Sequence, residues 1–216
     1  MATEKEKAQA WKNMEPIFQK ETKEAYTEWG ADSYDKDMAA LGYNTPTEGV
    51  VKVTSLVPDT SARILDFGCG TGLAGELLKA KGYSNVYGVD PTETFVERSI
   101  EKQVYKEARV LEIEPATKIC YDDGFFDAVV SVGVFGLNGA TQEAFPEVNR
   151  ILKPGGYFVV ATRERNYDPT IQVGLDLPAG YAKFVEEGVW DRLADKKYLY
   201  YEENQVPGLV ITARKK

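Results

Sequence analysis

The 216-residue chain contains no histidine. That absence excludes a Ser-His-Asp or Cys-His catalytic arrangement, and it removes both the commonest general base at neutral pH and the commonest zinc ligand. Cysteine is scarce as well. Cys69 and Cys120 stand at no metal-ligand spacing, no metal is expected, and nothing suggests secretion, so a reduced cytoplasmic compartment is expected. Basic residues are in deficit: 26 Lys and Arg face 34 Asp and Glu, a formal charge of −8. Such a surface repels phosphate backbones, so nucleic acid is not an expected partner. The one basic cluster, Arg214-Lys215-Lys216, is a tail. No apolar run is long enough to cross a bilayer, and Met1 to Lys12 is charged rather than signal-like, so no membrane is expected as a partner.

What is present suits one α/β domain with length to spare at its ends, able to bury a core without disulfides. The stretch from Thr3 to about Trp29 predicts a helix, with Trp11, Met14, Ile17 and Phe18 at helical offsets. It serves as an amphipathic cover or as a lid. A turn around Gly30, Asp32 and Ser33 follows, then Tyr34 to Ala40, and Pro46 opens a helix over Thr47 to Leu56. Residues 1–45 thus form a helical cover and 46–216 the main domain.

Within that domain, strands are predicted at Ala62 to Phe67, Val86 to Asp90, Ala108 to Ile113, Phe126 to Val132 and Tyr157 to Thr162. Helices at Leu73 to Lys81, Thr92 to Lys102 and Thr141 to Leu152 alternate with them. This rhythm implies a parallel, doubly wound, Rossmann-like sheet whose right-handed crossovers put the carboxyl ends of the strands on one edge. After a helix around Ala179 to Leu193, strands at Lys197 to Glu202 and Leu209 to Ala213 are joined by a link too short for a crossover helix. One of them must therefore run antiparallel.

The chemistry is concentrated after the first strand. Gly68, Gly70 and Gly72 let the backbone turn sharply and approach a ligand, and the next helix offers free N–H groups to a carboxylate or phosphate. Asp90 ends the second strand, where an acid accepts hydrogen bonds from ribose hydroxyls in nucleoside-binding folds; as Asp90-Pro91-Thr92 it also suits a helix cap. Asp66 either orients the loop or meets a ligand amino group. Gly70-Thr71-Gly72-Leu73-Ala74-Gly75 matches the dinucleotide fingerprint G-x-G-x-x-G, but four residues separate its first glycine from the apolar strand core. With no histidine and no second catalytic domain, a nicotinamide oxidoreductase is the weaker alternative.

The run Ile64-Leu65-Asp66-Phe67-Gly68-Cys69-Gly70-Thr71-Gly72 resembles the first motif of class I S-adenosylmethionine methyltransferases. Gly88-Val89-Asp90, Phe126 to Ser131 and Leu152-Lys153-Pro154-Gly155-Gly156 agree with later motifs of that class. Within it, Tyr26 and Trp29 before Tyr34-Asp35-Lys36-Asp37, Gly42-Tyr43 with Pro46, Thr162-Arg163 and Gly188-Val189-Trp190 are most similar to the methyltransferase-like protein 27 (Williams-Beuren syndrome region) family. The resemblance implies a seven-stranded sheet with a reversed last strand and S-adenosyl-L-methionine as cofactor. It places Gly68, Gly70, Thr71 and Gly72 along the methionine part and Asp90 on the ribose. Pro91 and Thr92, with Glu112 and Ile113, would sit at the adenine, Ser131 at the pocket's end, and Tyr34 over the methionine end. Arg163 would face the acceptor side and pair with an acidic substrate. Trp29 and Trp190, with Tyr181 and Phe184, would form either an aromatic lid or core.

The implied activity is in-line methyl transfer to a small-molecule acceptor by a monomer or weak homodimer; a non-catalytic cofactor-binding module is the alternative. Alignment of the reactants supplies most of the acceleration in such a displacement. No residue stands out as a general base.

Overall fold

A computed structural model describes residues 2–113, 117–136, 139–170 and 175–216, Phe18 by its backbone alone. Four helices precede the first strand: α1 (Glu4–Met14), α2 (Thr22–Trp29), α3 (Ala31–Ala40) and α4 (Thr45–Leu56). Thr3 and Glu6 close a reciprocal capping box at the start of α1. The single helix expected from Thr3 to Trp29 is in fact two, parted by a 3-10 turn over Glu15–Phe18. Pro16 is the cause: it has no N–H to donate, and its ring clashes with the preceding turn of an α-helix. The expected turn at Asp32 and Ser33 is instead the first turn of α3, because the chain reverses at Gly30 alone (φ +76°).

The sheet strands are β1 (Ile64–Phe67), β2 (Val86–Asp90), β3 (Glu107–Val110), β4 (Phe126–Val132) and β5 (Leu152–Arg163). Between them run α5 (Leu73–Ala80), α6 (Glu93–Glu101) and α7 (Phe145–Ile151). Every residue of β1 and β2 is buried, as continuous apolar runs must be when both sheet faces are covered. β3, at the edge, is only partly covered and stops at Val110, three residues earlier than expected. β5 starts five residues before its expected beginning. Pro154-Gly155-Gly156 lies inside it as an irregularity, across which the pairing jumps from Phe126 with Leu152 to Ala128 with Tyr157.

The chain ends with α8 (Leu177–Glu186), β6 (Trp190–Arg192), β7 (Lys196–Tyr201) and β8 (Val206–Lys215). The helix expected to reach Leu193 stops at Glu186, and Gly188 (φ +73°) turns the chain into the extra strand β6. The sheet order is β3-β2-β1-β4-β5-β8-β6, with β7 also on β8. β1 to β5 run parallel, and β8 lies antiparallel against β5. β6 and β7 sit end to end on the far edge of β8, against Ala213 to Lys215 and Val206 to Val210. Among the described residues, eight strands thus fill seven positions.

Trp190 and Tyr181 are fully buried, and Phe184 stacks on Trp190 with ring centroids 4.3 Å apart. These three belong to the sheet's own core. They form no lid, because the β6 turn carries them to the face packed by α7 and α8. Trp29 belongs to a separate cluster, with Met38, Leu41, Tyr200 and Tyr201, that joins the N-terminal helices to β7.

Candidate functional site

A cavity of about 840 Å³ lies at the carboxyl edge of the parallel strands, under the N-terminal helices. Its floor is Gly68 and Gly70 after β1, Asp90, Pro91 and Thr92 after β2, Glu112 and Ile113 after β3, and Val132 to Val134 after β4. Tyr26, Trp29, Tyr34 and Met38 roof it. Its volume falls in the upper part of the range of small-molecule and cofactor sites.

The glycine loop is shaped by main-chain bonds to β2. Gly68 and Cys69 both donate their N–H to the Val89 carbonyl, at 2.8 and 2.9 Å. Asp90 then locks the loop: its Oδ2 accepts from the Gly70 N–H and its Oδ1 from the Thr92 N–H, each at 2.9 Å. Burial raises the pKa of this carboxyl, and the backbone donors work against that rise. The Thr92 side chain bonds this carboxyl as well; a carboxylate has about four acceptor positions, so one remains for a ligand hydroxyl at the cavity wall. Gly70 has φ +52°, and a Cβ built there meets nothing nearer than a Phe95 ring carbon at 3.8 Å. The main chain therefore presents its own edge to the cavity, in a conformation that favours glycine. An acid poised for a ribose hydroxyl beside an unobstructed backbone fits a nucleoside cofactor.

Four residues expected at the ligand stand behind the loop and do not line the cavity. Asp66 is fully buried. Its Oδ2 accepts from the Tyr105 hydroxyl at 2.6 Å and its Oδ1 has no hydrogen-bond partner. Burial pushes its pKa up to about 7, against the Tyr105 bond and with help from the Asp90 charge. Thr71 donates its hydroxyl to Asp35 of α3, whose other oxygen lies 2.7 Å from the Lys102 ammonium. Gly72 starts α5 packed against Val104 and Ser99. Ser131 donates to the Phe67 carbonyl at 2.8 Å, pinning the end of β4 to that of β1.

Tyr34 does line the cavity, within a group of rings whose centroids lie 5.2 Å (Trp29), 5.9 Å (Tyr26) and 5.1 Å (Phe95) from its own. Trp29 is oriented by donating its indole N–H to Asp37 at 2.8 Å. Glu112 pairs with Lys23 of α2, so the roof is tied to the turn after β3. Arg163 lines the opposite end, its guanidinium carbon 5.2 Å from the Tyr200 ring centroid and 5.4 Å from that of Tyr201.

Sequence patterning missed Tyr26, Phe95, Tyr43 and Tyr200 as cavity residues. Tyr26 was legible one helical turn before Trp29, on the same face. Tyr200 carried no signal, since β7 meets the roof only in three dimensions.

Known proteins resemble this chain in sequence and in fold. A family model described as a methyltransferase domain matches residues 65–160. Methyltransferase-like protein 27 of Homo sapiens is 32% identical over 172 residues, covering 78% of this chain and 67% of that protein. The demethylmenaquinone methyltransferase of Clavibacter sepedonicus is 29% identical over 150 residues, 68% of this chain; the chain spans only 60% of that relative. RNA-directed enzymes also match: a tRNA U34 carboxymethyltransferase of Actinobacillus succinogenes is 28% identical over half of this chain and 34% of its own. The expectation that excludes nucleic acid thus has no support from the relatives. Among solved structures, a chain from the Haloferax volcanii complex that contains the Trm112 methyltransferase activator superposes with TM-score 0.69 at 18% identity, covering 89% of this chain and 96% of that one. With the first motif, the lone reversed strand and a relative matched over two thirds of its length, this chain belongs to the class I S-adenosylmethionine-dependent methyltransferases, in the family of methyltransferase-like protein 27.

Proposed function

We propose that the chain moves a methyl group from S-adenosylmethionine to a small-molecule acceptor, as a cytoplasmic monomer or weak homodimer, with the helices of residues 1–45 as the cover over both reactants. The observation that carries this is the single cavity shared by the Gly70–Asp90 floor and the Tyr26–Tyr34 roof. The cofactor supplies an already activated sulfonium methyl. The chain's own work is to bind, align and exclude water, and alignment is worth on the order of 7–11 kcal/mol in ideal cases.

The roles divide by element. Asp90 would hold a ribose hydroxyl, and Pro91, Thr92, Glu112 and Ile113 would bound the base. Gly68 and Gly70 would let the methionine part lie against the main chain, with Tyr34 above it. Asp66, Thr71, Gly72 and Ser131 would keep the loop in place from behind. A volume of about 840 Å³ favours a small acceptor over a folded macromolecule. The charge of −8 also opposes a polyanion. No helix among the described residues is long and apolar enough to cross a membrane.

The test is cofactor-dependent melting, followed by label transfer. S-adenosylmethionine and S-adenosylhomocysteine should raise the melting temperature, and NAD and NADP should not. Labelled methyl groups should then pass to the low-molecular-weight fraction of a cell extract. Label confined to RNA or protein would overturn the acceptor class.

A further inference from the structure

The cavity has two chemically distinct ends. Around Asp90, Glu112 and Phe95 it suits a nucleoside. The other end, under α1 and α3 and against β7, is built from Arg163, Tyr43, Tyr200, Tyr201, Met14 and Met38. Arg163 is the last residue of β5, and its guanidinium donates to the Met14 sulfur at 3.6 Å while it lies over the faces of Tyr200 and Tyr201. A guanidinium stays charged at any physiological pH, and the fork of N–H groups in its plane matches a carboxylate. Two phenol hydroxyls converge beside it. A Cβ built on Gly133 would lie 2.3 Å from the Tyr43 hydroxyl oxygen and 3.1 Å from that of Tyr200. The two phenols hydrogen-bond to each other, so a cation, the one O–H left over and flat ring walls recognise a small anion with a flat or apolar body.

The same residues bear on which atom takes the methyl group. None of these six side chains is a proton acceptor at neutral pH. Burial raises the phenols of Tyr43 and Tyr201 above their ordinary value, so they hold their protons more firmly still. Among the described residues the carboxylates of the cavity lie elsewhere: Asp90 is held by two backbone N–H groups, Glu112 is paired with Lys23, and Glu21 is exposed at the start of α2. An acceptor bound here finds no base among these side chains, so its attacking atom must react without first losing a proton. Alcohols and phenols do not meet that condition near pH 7, and an ammonium is repelled by Arg163; a carboxylic acid, with a pKa of about 4, meets it.

Resting on the function proposed above, we propose that the acceptor is a small carboxylate with a flat or apolar body, bound by Arg163 with Tyr43 and Tyr200, and that it is methylated on a carboxylate oxygen. The oxygen lone pair forms the new O–CH3 bond as the S–CH3 bond breaks and its electron pair stays on sulfur. No proton moves, and a carboxylate and a sulfonium become a neutral ester and a neutral thioether.

Methyl esters are distinguished by alkali. The full-length protein is incubated with S-adenosylmethionine labelled in its methyl group and a low-molecular-weight metabolite extract, and the product is treated with mild base. Release of the label as volatile methanol is the expected result. Label that stays on a small molecule through this treatment overturns the carboxylate while leaving small-molecule transfer standing. Absence of any labelled small molecule overturns both. As a second measurement, R163Q should retain the melting shift given by S-adenosylhomocysteine and lose on the order of ten- to a hundredfold in kcat/KM for the extracted acid, the loss expected for one charge-assisted hydrogen bond. An equal kcat/KM would remove Arg163 from the site.

Discussion

The two ends of the cavity are held in place by different means. At the Asp90 end the determinants are close in sequence, and main-chain hydrogen bonds hold them: Gly68 and Cys69 on Val89, Gly70 and Thr92 on Asp90. At the other end, Met14, Met38, Arg163 and Tyr200 come from four elements spread over most of the chain, and ring stacking and sulfur contacts bring them together. Main-chain geometry tolerates little variation, whereas side-chain packing of Tyr and Met can be rebuilt. A fold built this way keeps one cofactor and is free to change its acceptor.

The sharpest way to break this contrast is Gly70→Val. It forces a β-branched residue into a left-handed backbone and sends its side chain into the cavity, so cofactor affinity should fall by at least about a hundredfold. Calorimetry reads this directly, and normal binding would reduce the loop to a mere turn. The next effect is on stability. The pKa of Asp66 is about 7 in the fold against an ordinary 3.8, so the folded state prefers the protonated form. Its contribution is fully present below pH 3.8 and is lost as pH rises through 7, up to about 4 kcal/mol. Urea unfolding from pH 4 to 8 should show wild type losing ground to Asp66→Asn; parallel curves would show that burial does not perturb this carboxyl.

Asp90→Ala comes third. It leaves the Gly70 and Thr92 N–H groups without their acceptor and removes the proposed ribose partner, so cofactor affinity should drop by about tenfold or more while the far-ultraviolet spectrum is preserved. Unchanged affinity would refute the ribose assignment. Asp35→Asn tests whether the roof and the loop are coupled. Weakening the Thr71 and Lys102 contacts should cost about 1 kcal/mol of stability and speed amide exchange in α3 more than in β1. The smallest effect belongs to Lys23→Ala, because the pair with Glu112 is half exposed. Its melting temperature should match wild type, and a clear drop would show that this tie holds the roof down.

The strand-helix alternation from β1 to β5 was legible because fully buried parallel strands are continuous apolar runs, with turn residues between them. The boundaries that failed did so for local reasons: Pro16 splits the first helix, and Gly188 with a three-residue strand replaces the end of α8. Trp190 was ambiguous in sequence, because a large aromatic after a glycine suits a lid and a core equally. Only its burial against Phe145, Tyr181 and Phe184 decides between them.

By itself the sequence determined the α/β class, the reversed strand, the glycine loop and the acid that ends the second strand. All of these depend on neighbours a few residues apart or on one regular period. The tertiary structure alone decided that Asp66, Thr71 and Ser131 stand behind the loop and that tyrosines from α2, α3 and β7 share one chamber with Arg163. Those outcomes depend on which elements the sheet order brings together, and spacing along the chain carries no record of that order.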